Sequence, residues 1–469
     1  MDQPSSGGPE QGTVGHRQRS AVSTGQPAHR RRWRTASFGA AGMSAALLLA
    51  ACGSSSHSAA SGSAAVSASS KVASGSALVI GNFNPFSGSK AAYGPLMMSG
   101  CVPAVNLINA DGGVLGHKLT CQPEDSRGDP ADAVPTAEKV VSTTPNLVAV
   151  LGPSSLTAPA TVPIFNAAKV PMFLDAGQSE FDKSSFAYVW RFIPPDAADG
   201  YAMAMWAHHK GYTTAASIFS SSSSTTGAVK GVQQGFPKLG GKLVFTDTIT
   251  SDQPSYQTVI ENMLAKKPQV IFYDAGASTS ATFLGELKQL GGGSIPVIGP
   301  EVITEPSWVS AVSGAIGASA VSSDITVVEA SVSTNTPGYQ PFVKALLAAG
   351  SAVPKASSYE TDPFTIGNYD AVNLVALAML AKHTTNRTVI NDTIASLLKS
   401  SPGAVVVHTF AQGKAALAQG KTIQYIGAGG PLVLNKYHNT SGNYVAVADS
   451  ASHPKLGSIT AASLNQLIS

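Results

Sequence analysis

This sequence is short of most features that mark an enzyme, a nucleic-acid binder or a membrane-spanning protein. Only 12% of its 469 residues are charged, with 30 basic against 27 acidic. Six of the arginines and two of the acids fall within residues 1–51, so the remainder carries 24 basic and 25 acidic residues. No basic face is left to draw nucleic acid or an anionic membrane surface. Beyond residue 52 no run approaches the roughly 20 apolar residues that span a bilayer; residues 371–381 are apolar but short, and fit a buried helix. Catalytic sets are missing too. There is no Gly-x-Ser-x-Gly elbow, and Ser87-Gly88-Ser89-Lys90 has the form Ser-x-x-Lys with no Lys-Thr-Gly to complete it. Gly420-Lys421-Thr422 mimics the end of a P-loop, but Ala415 stands where the upstream glycine is needed and a strand follows. The first strand is not followed by Gly-x-Gly-x-x-Gly, so no dinucleotide is implied. The histidines are scattered; His208-His209 reads as a helix surface without metal-ligand spacing. No cofactor and no metal are expected.

What is present begins with a leader. Arg30-Arg31-Arg32-Trp33-Arg34 precedes an apolar run that closes in Leu49-Ala50-Ala51-Cys52. A basic region, an apolar region and small residues before the break make an export signal. A cysteine directly after Leu-Ala-Ala resembles the bacterial lipoprotein signal, which implies removal of residues 1–51 and a diacylglyceryl group on Cys52. An ordinary signal peptide with an incidental cysteine is the alternative, and the arginine cluster is a loose match to a twin-arginine signal. Residues 52–76 are almost entirely Ser, Ala and Gly after the cysteine. Such a stretch buries too little apolar surface to offset its ordering entropy and reads as a flexible tether. The expected location is extracytoplasmic, lipid-anchored to the outer face of the cell membrane. Roughly 390 residues remain, enough for two ordinary domains.

From Leu78 onward short β runs alternate with helical stretches. Strands are expected at residues 78–83, 118–122, 147–151 and 171–174, with helices at 91–109, from Asp129-Pro130, and at 157–168. Asp129 fits an N-cap with Pro130 at the first helical position, and the wholly apolar Leu147-Val148-Ala149-Val150-Leu151 fits a parallel strand covered on both faces. Pro194-Pro195-Asp196 interrupts, and a second series follows: helices at 200–210, 227–239, 256–265 and 279–290 between strands at 216–219, 242–246, 270–273 and 296–298. Long helices are expected at 338–349 and 365–382, and hairpin-like strands over 425–447 around Asn439-Thr440-Ser441-Gly442. Strand and helix at this spacing imply βαβ units and doubly wound α/β architecture.

Several segments in this frame resemble one family, the type I periplasmic (solute-) binding proteins of branched-chain amino acid ABC transporters. They are Ile80-Gly81 with Pro85-Phe86-Ser87-Gly88 and Tyr93-Gly94; Ile108-Asn109-Ala110-Asp111-Gly112-Gly113-Val114-Leu115-Gly116; Asp129-Pro130 with Ala133-Val134; Ala149-Val150-Leu151-Gly152-Pro153-Ser154-Ser155; Val170-Pro171; Ile298-Gly299-Pro300-Glu301; and Tyr369-Asp370-Ala371-Val372. Their order and spacing match across essentially the whole mature chain. The resemblance implies two doubly wound, Rossmann-like lobes joined by a three-strand hinge, and a cleft that closes on its ligand. The first lobe is then residues 77–194 with 327–436, and the second 195–326 with 437–469. The implied partners are a small polar solute, an amino acid or related amide or acid, and the permease subunits of an ABC importer. The protein is then a monomer and not an enzyme. The same fold can instead present its ligand to a membrane receptor.

In open α/β sheets ligands bind beyond the carboxyl ends of the strands. In the first lobe this selects Phe86 and Ser87, with Tyr93, after the first strand; Ser154 and Ser155 after the apolar strand; and Ala176, Gly177 and Gln178 after the next. Backbone N–H groups and hydroxyls at Ser154-Ser155 could hold a carboxylate at a helix N-terminus; plain N-capping is the alternative, and the roles can coexist. In the second lobe the equivalent ends are residues 220–226, with Thr226, and residues 274–278, from Asp274 through Gly276, and Glu301 follows Val297-Ile298-Gly299-Pro300. In amino-acid-binding relatives an acid at the Glu301 position meets the ligand's ammonium; a solvated loop acid is the alternative. Gln178 stands where a small hydroxyl residue is usual and Thr226 where a tyrosine is usual, and Ala275-Gly276-Ala277 lacks the usual aromatics. A ligand other than leucine, isoleucine or valine is therefore open. Phe83, Phe86, Tyr93 and Trp308 are candidates for apolar wall or for core.

Of the three cysteines, one is assigned to lipid, which leaves Cys101 and Cys121 as a pair in an oxidising compartment. Cys101 lies about nine residues before the helix end, or about 13 Å up the helix axis. Cys121 lies about 10–13 Å up the returning strand, so the two sulfurs reach the same height and a disulfide is expected. Two separately buried thiols are the alternative.

Overall fold

The computed structural model describes residues 75–221, 226–449 and 454–468. Residues 1–51, Cys52 and nearly all of the tether lie outside the described residues.

The chain runs β1 (Leu78–Asn84), α1 (Gly94–Ala110), β2 (Leu119–Asp125), α2 (Pro130–Thr143), β3 (Leu147–Ser154), α3 (Ala158–Ala167), β4 (Met172–Asp175) and β5 (Val189–Trp190). These strands form one parallel sheet in the order β2-β1-β3-β4-β5. Every residue of β1 and β3 is buried, as an all-parallel sheet with helices on both faces demands. The Asp129 carboxylate accepts from Ala131 N at 2.7 Å and caps α2 as its sequence implied.

The second series is α4 (Asp196–His209), β6 (Thr214–Ser220), α5 (Thr226–Lys238), β7 (Lys242–Ile249), α6 (Gln257–Leu264), β8 (Val270–Asp274), α7 (Ala277–Gln289), β9 (Val297–Pro300), α8 (Pro306–Ile316), α9 (Ala318–Asp324) and β10 (Ile325–Ser331). Then come α10 (Tyr339–Leu347), α11 (Pro363–Lys382), α12 (Arg387–Leu398), β11 (Val405–Val407), α13 (Phe410–Ala418), β12 (Ile423–Tyr425), β13 (Asn443–Ala448), β14 (Lys455–Ile459) and α14 (Ala461–Ile468). The second sheet has the order β14-β13-β10-β9-β8-β6-β7, with β13 antiparallel to both its neighbours. Helices α4 and α5 pack almost backbone to backbone. A Cβ on Gly200 would lie 1.9 Å from the Ala228 carbonyl oxygen, and one on Gly231 2.1 Å from that of Ala197. No larger residue fits either place.

The lobes are not consecutive in sequence. Helices α10 to α13 return to the first sheet, and α11 is buried from Thr365 to Met379 in the core that also takes α1. The chain therefore passes between lobes after β5, after β10 and after β12. The second passage falls near residue 332, not at the expected 327, because β10 belongs to the second sheet. The segment expected as hairpin-like strands is so only locally, where Leu434 and Thr440 form an antiparallel bridge around a tight turn. Tyr425 ends β12, which pairs in parallel with β11, while β13 pairs with β10 and β14. Asn439 lies on the passage between lobes, bridged to Arg191.

Two helical stretches, residues 90–110 and α11, are long and apolar enough to cross a membrane, but 50% and 83% of their most apolar windows are buried inside the protein. They are core helices. Cys101 on α1 and Cys121 on β2 form a disulfide with a Cα–Cα distance of 6.0 Å.

Candidate functional site

The carboxyl ends of β1, β3 and β4 make the first rim. Asp125, at the end of β2, accepts from Phe86 N at 2.9 Å, Ser87 N at 3.1 Å, Arg127 N at 2.9 Å and the Ser87 hydroxyl. Partial burial works against the charge of Asp125, but these four donors prevail and hold its carboxyl below the usual range. They also fix the Phe86-Ser87 loop and commit the Ser87 hydroxyl to Asp125. Lys90, its partner in the Ser-x-x-Lys form, instead lies over the Tyr93 ring at 5.7 Å. Tyr93 itself is 46% exposed.

At the end of β3, Gly152 has φ +91°, and a Cβ there would lie 2.4 Å from the Phe83 carbonyl oxygen, so only glycine fits. The Gly152-Pro153 bond is cis. Ser154 is buried and its Oγ has no hydrogen-bond partner among the described residues; Ser155 is exposed. Neither hydroxyl caps α3, whose N-cap is Thr157. Gln178 reaches across from the end of β4, donating Nε2 to the Ser155 carbonyl at 2.7 Å, while its Oε1 is buried with no hydrogen-bond partner among the described residues. Beneath this rim Asp175 accepts from Asn84 Nδ2 at 2.9 Å and Asn368 Nδ2 at 3.1 Å. Burial outweighs both donors and pushes the Asp175 carboxyl up to about 7.

Arg191 ties this rim to the hinge. Its guanidinium donates to Asp182 at 2.6 Å, to Asn439 Oδ1 at 3.1 Å, and to the carbonyls of Gln178 at 3.0 Å and Ala176 at 3.4 Å. Asn439 in turn donates to the Phe181 and Asp182 carbonyls at 3.1 and 3.0 Å. The first and third passages between lobes run side by side, with Arg191 N bonded to the His438 carbonyl, Thr440 N to that of Arg191, and Trp190 stacked on His438 at 3.9 Å.

The second rim is the carboxyl edge of β6, β8, β9 and β10, which carries Ser220, Asp274, Glu301 and Glu329. The α4 helix opens here with Asp196 and Asp199 in its first turn, where acids suit the helix dipole. Asp196 is also where the lobes touch. Its N–H donates to the Gly177 carbonyl at 2.8 Å, and a Cβ on Gly177 would lie 1.8 Å from its Oδ1. Asp199 accepts from the Tyr444 hydroxyl at 2.7 Å. Burial, with repulsion from Asp196, Glu301 and Asp274, raises its carboxyl to about 8 against that hydrogen bond. Glu301 exposes its own surface, yet the surrounding walls strip away enough water to raise its carboxyl to about 7, helped by Glu329 and by Asp362 of the first lobe. Trp308 is core: its Nε1 donates to the Ala275 carbonyl at 3.1 Å and to Ser280 Oγ at 2.9 Å, which secures the loop after β8.

The sequence profile of the periplasmic binding proteins matches residues 77–448. The chain belongs to that family. It is 29% identical over 191 residues to the Leu/Ile/Val/Thr-binding protein of Salmonella typhimurium, covering 40% of this chain and 52% of that one. It is 28% identical to the Leu/Ile/Val-binding protein of Escherichia coli over 40% of this chain and 51% of that one. The matched region thus spans about half the length of those relatives. Among solved structures, a substrate-binding protein of Desulfitobacterium hafniense in complex with Leu superposes with a TM-score of 0.59 at 19% identity, over 81% of this chain and 99% of that one. A solute-binding protein of R. palustris in complex with benzoate superposes with a TM-score of 0.55 at 19% identity, over 82% and 98%. At these identities the likeness shows the fold alone: two α/β lobes of the type I arrangement.

For this periplasmic binding protein, the structure gathers Ser154, Ser155, Ala176, Gly177 and Gln178 on one rim and Gly276 and Glu301 on the other. Phe86 packs on Gly94, and its loop adjoins the first rim through Pro85, Gly128 and Leu156. Thr226 opens α5 beside residues 222–225, which lie outside the described residues, and nothing is assigned to its side chain. His208 and His209 are exposed on α4, and no group of three metal-ligating side chains occurs among the described residues. Sequence reasoning missed Arg191, Asp196 and Asp199. It placed Asp274 at the start of a candidate loop, as the acid closing the apolar strand Val-Ile-Phe-Tyr-Asp, without singling it out.

Proposed function

We propose that this chain is an extracytoplasmic solute-binding protein, lipid-anchored through Cys52, that holds one small polar solute between its lobes and delivers it to the permease of an ABC importer. Residues 77–194 with 332–437 would move as one body and residues 195–331 with 438–469 as the other, about the passages at Arg191 and Asn439. The observation that carries the reading is a pair of strand-end rims, meeting at Gly177 and Asp196, that leave buried polar atoms unpartnered among the described residues: Ser154 Oγ and Gln178 Oε1 on one, Asp274 Oδ2 on the other. Leaving such atoms unpaired is costly, and a polar ligand would satisfy them. Family membership and the relatives' names for leucine, isoleucine and valine binding support the class of ligand, while Gln178 and the bare Ala275-Gly276 loop argue against an aliphatic amino acid held in the same way.

The test is a thermal-shift screen of the mature protein against amino acids, amides, aromatic acids and urea-like compounds. A true ligand raises the melting temperature by mass action and is recovered unchanged. Chemical conversion of the bound compound would overturn the reading.

A further inference from the structure

Among the described residues, Asp274 is the one carboxylate of the second rim that is fully buried, and the fold gives it no partner. Asp199 is held by Tyr444, and Asp196 lies close enough to feel Arg191. Asp274 is 3% exposed, makes no ion pair or hydrogen bond among the described residues, and its Oδ2 is buried without a partner. Strand alternation places it on the same face of β8 as Phe272, which packs in the core that takes α4. It therefore turns toward the α4 N-terminus, where Asp199 senses Asp196, Glu301 and Asp274 together. Register sets its neighbours: Phe219 of β6 lies opposite it, and β9 runs beside β8 to end at Pro300, next to Glu301. Beyond it, Gly276 is exposed, with nothing within 4 Å of where a Cβ would be. The loop beyond the acid is thus open at Gly276, and no lysine or arginine side chain hydrogen-bonds or ion-pairs with Asp274 among the described residues.

A buried carboxyl with an unpartnered oxygen, in a rim where Asp196 and Glu301 also lack a hydrogen-bonded or ion-paired cation among the described residues, is an arrangement that a cation stabilises and a neutral group does not. We propose that Asp274 forms a cation subsite in the cleft, so that the solute carries a positively charged group of its own, an ammonium or guanidinium, beyond any group met by Glu301. This rests on the solute-binding reading above and narrows its ligand from small polar solutes at large to amines and basic amino acids.

The experiment compares matched pairs differing by one cationic group, L-lysine with L-norleucine and putrescine with n-butylamine, by calorimetry and thermal shift on the mature protein and on Asp274→Asn. In the wild type the cationic member of at least one pair should bind tenfold or more tightly than its partner, and Asp274→Asn should abolish that preference. Equal binding within both pairs, or a preference that survives Asp274→Asn, overturns the cation subsite and leaves solute binding standing. Failure of both pairs to bind also overturns it, whereas failure of every compound in the broad screen overturns the solute-binding reading itself. The wild-type comparison decides the matter even if the variant does not fold.

Discussion

Two residues fix the geometry of the first rim, and each makes a sharp prediction. Arg191 is wholly buried and makes four hydrogen bonds that join the hinge to the loop carrying Ala176 and Gln178. Removing one member of a buried charge pair strands the other, so Arg191→Ala should destabilise the protein by about 3–5 kcal/mol in denaturant titration. Arg191→Lys should not restore stability, because an ammonium cannot supply the fork. Gly152 combines a left-handed backbone with a contact that leaves no space for a Cβ. Gly152→Ala should cost at least the roughly 1–2 kcal/mol of a left-handed L residue and displace Ser154, so that ligand affinity falls along with melting temperature. At the site itself, Glu301→Ala should weaken binding of an ammonium ligand by about 1–3 kcal/mol. Unchanged affinity would show that the ligand offers no cation to Glu301.

At the scale of elements, the disulfide between α1 and β2 closes a loop with a sequence separation of 20. It should contribute about 2–4 kcal/mol, measurable as the loss of stability in a Cys101→Ser, Cys121→Ser double variant. Thiol titration of the unreduced, denatured protein should find no free thiol at these positions. This pairing was legible because a helix and the strand returning beside it have fixed rises per residue, so height could be counted along each. The βαβ succession through β9 was legible for a similar reason: buried parallel strands are short apolar runs between helices, and the punctuation is strong, as at Asp129-Pro130. The C-terminal part was not. Residues 425–447 carry β-prone residues and an Asn-Thr-Ser-Gly turn signal, but Asn439 is spent on Arg191 and on two backbone carbonyls distant in sequence. No local pattern announces a strand whose partners lie in another lobe. The helix at α4 was expected four residues late, at Gly200, because Pro194-Pro195 reads as a break; Pro195 is instead the N-cap, and the first turn it opens carries Asp196 and Asp199. The loops chosen as strand ends follow strands in the fold, although Tyr93 lies farther on, at the N-cap of α1; Asp274 fell inside one of them, but its weight was not legible because it depends on burial and on which atoms find a partner.

The whole molecule concentrates acids that burial pushes upward: Asp196 and Asp370 to about 6, Asp175, Asp274 and Glu301 to about 7, and Asp199 to about 8. Facing or opposing them are Arg191 beside Asp196, Tyr444 on Asp199, Tyr425 on Asp370, the amides of Asn84 and Asn368 on Asp175, and the carboxylates of Glu329 and Asp362 around Glu301. The folded state keeps these protons where the unfolded chain has released them. Between about pH 4 and 8 it therefore binds more protons, and stability falls as pH rises through that window. Asp125, held low, acts only at the acid end. The melting temperature of the ligand-free protein should be higher near pH 5 than near pH 8. A flat or rising profile would mean that these carboxyls stay ionised in the fold. A ligand cation should flatten the slope and release protons on binding, which calorimetry in buffers of different ionisation enthalpy would detect.

The return of α11 to the first lobe governs the order in which the protein can solidify. Residues 77–194 contain every strand of the first sheet, yet the helix that fills its core is not synthesised until residue 382. During synthesis the first-lobe segment would stay uncommitted while some two hundred later residues follow it. Residues 77–194 produced alone should remain unfolded by circular dichroism and proteolysis. A first lobe that sets only when its far end arrives would leave the exported chain of the proposed function in a state that can still be threaded.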